Sequence, residues 1–277
     1  MKMDKKLLIG IIVVVVIILG AYFAFAGGNK QEKITIAGST SVQPVAEKLA
    51  QAYMQKHPNV KITVQGGGSA VGLKSAQDGT ANIGTYSSNL KGNESAGITS
   101  YQIAKDGIVV VVNNANSVSE LTTNQTKDIF SGNTTNWNAV GGNSATINVV
   151  TREDGSGTRD AFISLVMGGK NGTNISKTAI VQSSTEAIKQ SVKGDPNAVG
   201  YISLADLNGD VKAVKINGVT PSEQTVSNGT YQMQRPFLFL TKGQAKGATL
   251  DFINWCLGPE GQAIVKQSGA VPVGATQ

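Results

Sequence analysis

Cysteine and histidine are almost missing from this 277-residue chain, which has one of each, Cys256 and His57. A lone cysteine cannot close an intramolecular disulfide, and the two together cannot supply a zinc site or a Cys–His nucleophile. Charge is also scarce, at 15% of residues, while 40% are hydrophobic, so the chain has enough apolar surface to bury a core and is not a disordered one. The net charge is +6, and half of it arises before residue 31, from Lys2, Lys5, Lys6 and Lys30 against Asp4. The remaining body is close to neutral, which excludes a nucleic-acid surface. No strand-to-helix turn carries GxxxxGK[ST] or GxGxxG, so a nucleotide fold is disfavoured. Ser39 or Ser156 as a hydrolase nucleophile would lack a base, since no GxSxG elbow is present. Neither a metal nor a cofactor is expected, and the chain does not read as an enzyme.

What the sequence has instead is glycine, 33 residues, and hydroxyl side chains. It also has one long apolar run, residues 7–26 (LLIGIIVVVVIILGAYFAFA), free of charge and long enough to cross a ~30 Å hydrocarbon core. Its lysines lie on the N-terminal side, so the positive-inside rule puts the rest of the chain outside the cytoplasm. The run is read as an uncleaved membrane anchor, and cleavage after Ala24-Phe25-Ala26, releasing the body, is the alternative.

Beyond a polar linker the pattern alternates between strand and helix. Residues 33–37 (KITIA), 60–64 (VKITV), 81–86, 147–150 and 236–240 (PFLFL) read as strands, and 108–112 as a strand buried on both faces. Helical spacing follows at 42–53, 70–76, 126–130, 158–166 with Leu165 inward, and from 248 onward. A capping box, Ser183-Ser184-Thr185-Glu186, opens a helix through residue 192. Strand–helix–strand repetition predicts an α/β fold with parallel, doubly wound sheets, whose ligands gather where strand ends meet helix starts.

Three such junctions share one chemistry: Gly38-Ser39-Thr40-Ser41, Gly66-Gly67-Gly68-Ser69 and Asp154-Gly155-Ser156-Gly157-Thr158. A helix start offers unpaired N–H groups and a positive dipole end, glycine lets an anion approach, and hydroxyls add donors. Ordinary capping accounts for any one of them; three together point to an anion site. Arg152, just ahead of the third junction, supplies a fork suited to two oxygens of a tetrahedral oxyanion, with a nearby carboxylate to fix it.

These motifs, IAGSTSVQPVAEKLAQAY, GGGSAVG, ANIGTYSSNL and above all TREDGSGTRDAF, with the tail PEGQAIVKQSGAVPV, resemble the periplasmic phosphate-binding proteins of ABC-type phosphate importers. The resemblance covers most of the chain from residue 33. It implies a two-lobed periplasmic-binding-protein fold of type II behind the N-terminal transmembrane helix or signal segment (residues 1–28). Lobe I would comprise 29–112 and 235–277, and lobe II 113–234, with crossings near Asn113 and Gln234. It further implies phosphate ligands at Ser39, Thr40, Ser69, Ser87, Arg152, Ser156, Gly157 and Thr158, with Asp154 bracing Arg152 as the one guanidinium. The implied partners are inorganic phosphate and the importer's permease and ATPase subunits, and the receptor would be monomeric and anchored on the outer side of the cell membrane, or secreted. Two positions depart from the family. Ser87 stands where many relatives carry an aspartate that accepts a phosphate proton, and Ser88 where related short sequences carry arginine. Sulfate or molybdate thus remain alternatives, as does an anchored anion sensor without a transport role.

Overall fold

The computed structural model describes residues 31–274, apart from 93 and 95. The expected anchor at 7–26 lies outside the described residues, among which no helix is long and apolar enough to cross a membrane.

The chain begins with strand β1 (Glu32–Gly38), helix α1 (Gln43–Lys56), β2 (Val60–Gly66), α2 (Ser69–Asp78), β3 (Ile83–Tyr86) and the long β4 (Ile98–Val112). It continues through α3 (Thr123–Ser131), β5 (Asn148–Arg152), α4 (Gly157–Phe162), β6 (Ile180–Gln182), α5 (Thr185–Gly194) and β7 (Ala198–Ser203). β8 (Gln234–Lys242), α6 (Gly247–Leu257) and α7 (Pro259–Gln267) close it. The strands lie in the order β2-β1-β3-β8-β4-β7-β5-β6.

The sheet is mixed, which corrects the expectation of parallel sheets. β1 and β3 are parallel, as are β7, β5 and β6, but β8 runs antiparallel to β3 and β4, and β4 antiparallel to β7. Local periodicity identifies strands without specifying their neighbours, and here two long strands return against the βα units. β4 changes partner midway: residues 98–107 pair with β8, and Ile108–Val112 pair with β7.

Burial follows the same division. Ile34, Leu49, Ile83, Ile103, Phe237 and Phe252 belong to one apolar cluster, while Ile108, Val110 and Val112 join Phe130, Phe162 and Tyr201 in another. Val109 and Val111, on the opposite face, pack with Val150 and Ile188. The run 108–112 is therefore buried on both faces, as its unbroken hydrophobicity requires.

Two local expectations need correction. After Phe162 the helix widens into a π turn (Ile163–Met167), which rotates Leu165 outward to 40% exposure. At α5 the N-cap is Ser184, whose side chain accepts the Ala187 N–H, so the box with Glu186 does not form. Cys256 is fully buried and His57 half-buried, its ring stacked on Tyr53.

Candidate functional site

Four helix starts meet at one place. The turn before α1 brings Ser39, Thr40 and Ser41, and the start of α2 brings Ser69. Ser156, Gly157 and Thr158 come with the start of α4, and Thr185 with the start of α5. Ser87, directly after β3, completes the group. Ser39, Ser41, Ser69, Ser87, Ser156, Thr158 and Thr185 are all at most 2% exposed, and Thr40 is half-buried.

Their hydroxyls form a network. Ser39 Oγ donates to Ser87 Oγ at 2.9 Å, and Ser69 Oγ lies 3.3 Å from Ser87 Oγ while accepting the Ser87 N–H at 3.1 Å. Ser41 Oγ sits 2.7 Å from Thr158 Oγ1 and 2.9 Å from Thr185 Oγ1, and Thr40 Oγ1 lies 3.4 Å from the latter. Ser156 caps α4 by accepting the Arg159 N–H at 3.3 Å. Gly157 has to be glycine for this packing: a Cβ there would fall 2.3 Å from Ser69 Oγ and 2.8 Å from Ser87 Oγ. The backbone also joins these turns, Ala70 N–H donating to the Gly155 carbonyl at 3.0 Å.

Arg152, 2% exposed, ends β5. Tyr201 steadies the strand end, its hydroxyl 2.7 Å from Thr151 Oγ1 and 3.3 Å from the Arg152 nitrogen, while its ring stacks on Phe162. The guanidinium donates to Thr185 Oγ1 at 3.3 Å and, through Nε and Nη2, to both oxygens of Glu153 at 2.8 Å each. The brace is thus Glu153 and not Asp154. The Asp154 carboxylate turns outward, 93% exposed, and pairs with Arg159. Strand alternation would set Arg152 and Asp154 on one side, but the strand ends at Arg152, and the turn that follows folds Glu153 back onto the guanidinium and carries Asp154 away.

A second guanidinium corrects the expectation of one. Arg235, 3% exposed at the start of β8, donates to Thr158 Oγ1 at 2.7 Å, to the Ser87 carbonyl at 3.0 Å and to Asp106 Oδ2 at 2.9 Å. Burial raises the Asp106 carboxyl and lowers the Arg235 guanidinium, each against the pull of its partner. Asp106 remains an acceptor, taking the Ser203 hydroxyl proton at 2.7 Å. Sequence reading missed Arg235, Ser41 and Thr185. Arg235 stands in no glycine-rich junction, whereas Thr185 stood in a recognised helix start and Ser41 in the first motif.

The cluster therefore offers many hydroxyl donors and the Arg152 guanidinium, with the Arg235 guanidinium behind Thr158, each cation neutralised by its own carboxylate. Among the described residues no group of His, Cys, Asp or Glu is placed to hold a metal. Such a set can replace the water around a small, multiply charged oxyanion without building up positive charge.

The family profile described as the PBP superfamily domain matches residues 24–260. The phosphate-binding protein PstS of Bacillus subtilis (strain 168) is 31% identical over 245 residues, 87% of this chain and 80% of its own length. The chain belongs to the PBP superfamily and is PstS-like. A Clostridium perfringens protein described as a phosphate ABC transporter substrate-binding protein, solved with bound phosphate, is 41% identical. It superposes at a TM-score of 0.84, with 87% of this chain and 100% of that one covered. An ABC-type phosphate transport receptor from Vibrio cholerae reaches 36% identity and a TM-score of 0.72, with coverage of 87% and 100%. The mixed α/β architecture is that of the PBP fold.

Proposed function

We propose that this protein captures inorganic phosphate outside the cytoplasm and hands it to an ABC-type importer. It is a binding protein and not an enzyme. The observation that carries the reading is the convergence of four helix starts, their buried hydroxyls and the forked Arg152 on one point. The bound phosphate of the Clostridium perfringens relative and the Bacillus subtilis phosphate-binding protein PstS support it.

Phosphate is a strongly hydrated anion, so burying it requires protein donors for nearly all its oxygens. The hydroxyls of Ser39, Thr40, Ser69, Ser87, Ser156 and Thr158 would exchange their mutual bonds for bonds to the anion, joined by Arg152 and the Gly157 amide. About seven or eight such bonds at roughly 1.5–3 kcal/mol each exceed the roughly 8 kcal/mol of micromolar binding, leaving a margin for desolvation and ordering. The two lobes would part at the start of β8, near Gln234 as expected, and within β4, at Gly107–Ile108, where the strand changes partner and core, a few residues ahead of the crossing expected near Asn113. Ser39, Ser69 and Ser87 would then lie on lobe I and Arg152, Ser156, Thr158 and Thr185 on lobe II. An anion held by both lobes favours their closed arrangement through its differential contacts. The run at 7–26 would tether a monomeric receptor beside its permease, at high effective concentration.

Titration calorimetry with phosphate, sulfate and molybdate tests the reading. Phosphate is expected to bind most tightly, and Arg152→Ala to abolish binding while the protein stays folded. Near-wild-type affinity in Arg152→Ala would remove the site. The sulfate arm has its own motive, because Ser87 brings no carboxylate to accept a phosphate proton. Binding of sulfate as tight as phosphate would turn the assignment toward a general tetrahedral oxyanion receptor.

A further inference from the structure

Arg235 and Asp106 form a pair at the point where the two cores meet. Asp106 is fully buried and Arg235 nearly so. A buried ion pair is costly to desolvate and contributes little net stability, so its retention calls for another role. The bonding pattern supplies one. Nε donates to Asp106 Oδ2, Nη2 lies 2.9 Å from the same oxygen, and Nη1 is shared between the Ser87 carbonyl and Thr158 Oγ1. Asp106 is in turn fixed from β7 by the Ser203 hydroxyl.

The bond to Thr158 fixes that hydroxyl as an acceptor on one side. A guanidinium only donates, whereas a hydroxyl has one proton and two lone pairs. Thr158 Oγ1 must therefore accept from Arg235, which leaves its own proton for a different acceptor. With that lone pair taken, Ser41 Oγ, 2.7 Å away, can donate to the second one, and the Thr158 proton is then left for an anion. Arg152 sets Thr185 in the same way from the other side of Ser41.

Resting on the phosphate reading above, we infer that Arg235, held by Asp106, is a positioning residue of the anion site. It acts through Thr158, whose oxygen it holds as an acceptor so that, with Ser41 donating to the second lone pair, the hydroxyl proton faces the anion, and through the Ser87 carbonyl, whose turn it ties to the start of α4. The hydrogen bonds that Arg235 makes all go to protein atoms.

The test is a double-mutant cycle read by calorimetry with inorganic phosphate on Arg235→Lys, Thr158→Val and their combination. Lysine keeps a charge opposite Asp106 and so protects the fold, but a compact ammonium cannot reproduce the three-way fork. Arg235→Lys and Thr158→Val are each expected to weaken phosphate binding by about 10- to 100-fold, and the combination by clearly less than the product of the two, because both remove the Thr158 donor while Arg235 also holds the Ser87 carbonyl. Thermal melts without phosphate check folding. The pair Asp106→Asn with Arg235→Met, neutral on both sides, repeats the measurement without a buried charge and is expected to show the same coupling to Thr158→Val. Wild-type affinity in both Arg235 backgrounds, or losses that multiply in full with that of Thr158→Val, would overturn the assignment alone. Failure of the unaltered protein to bind phosphate would overturn the functional reading first and this inference with it.

Discussion

Asp206 makes the protein's stability depend on pH in a direction opposite to the usual carboxylate. It ends the one-turn helix Leu204–Asp206 after β7, and its Oδ2 is buried with no hydrogen-bond partner among the described residues. Burial, reinforced by the neighbouring Asp106 charge and opposed by Lys189 and Arg235, pushes its carboxyl from 3.8 up to about 7, Glu186 adding a small push in the same sense. Between those values the folded protein keeps a proton that the unfolded chain has released. Stability from this group is therefore fully present below about pH 4, falls by roughly 1.4 kcal/mol per pH unit, and is lost by about pH 7, a total of order 4 kcal/mol. Asp206→Asn removes that slope but leaves a buried amide short of partners, at about 1–3 kcal/mol. The variant should be more stable than the original by about 1–3 kcal/mol at pH 8, a rise of roughly 3–8 °C in melting temperature, and no more stable at pH 4. Thermal melts of both proteins from pH 4 to 8.5 decide the matter, since carboxylates common to both cancel in the difference. A melting difference that stays constant over that range would refute the reasoning.

The brace and the close packing of the site give two further expectations. Glu153→Gln should weaken phosphate binding by about 5- to 10-fold, since the Arg152 fork loses one of two charge-assisted bonds, while Asp154→Ala should change it less than about twofold; equal effects in calorimetry would return the brace to Asp154. Gly157→Ala places a methyl against Ser69 and Ser87 and should cost roughly 100-fold in phosphate affinity, two charge-assisted bonds' worth. Its melting temperature should fall as well, because the clash includes Ser69 Cβ at 2.9 Å in a serine that is 1% exposed, and unchanged affinity in the folded variant would place the anion elsewhere.

Elements with a local cause were legible in the sequence. The βα alternation, the doubly buried run 108–112 and the glycine–hydroxyl junctions each follow from periodicity or capping within a few residues. So did Ser39, Ser69, Ser156 and Thr158 as candidates, because a helix start announces its donors in its own sequence. Arg152 was readable for the same reason, being the last residue of the strand that leads into the third junction.

The rest depended on which distant segments become neighbours. Whether Glu153 or Asp154 braces Arg152 is set by the direction in which the turn after β5 leaves the strand. β8 lies between β3 and β4, antiparallel to both, and that arrangement alone brings Arg235 to Asp106, 129 positions away in the chain, and to Thr158. Sequence patterns encode which face of each element is apolar. Tertiary packing chose the partners, because hydrophobic burial is non-directional and leaves the order of strands to the closure of the whole core.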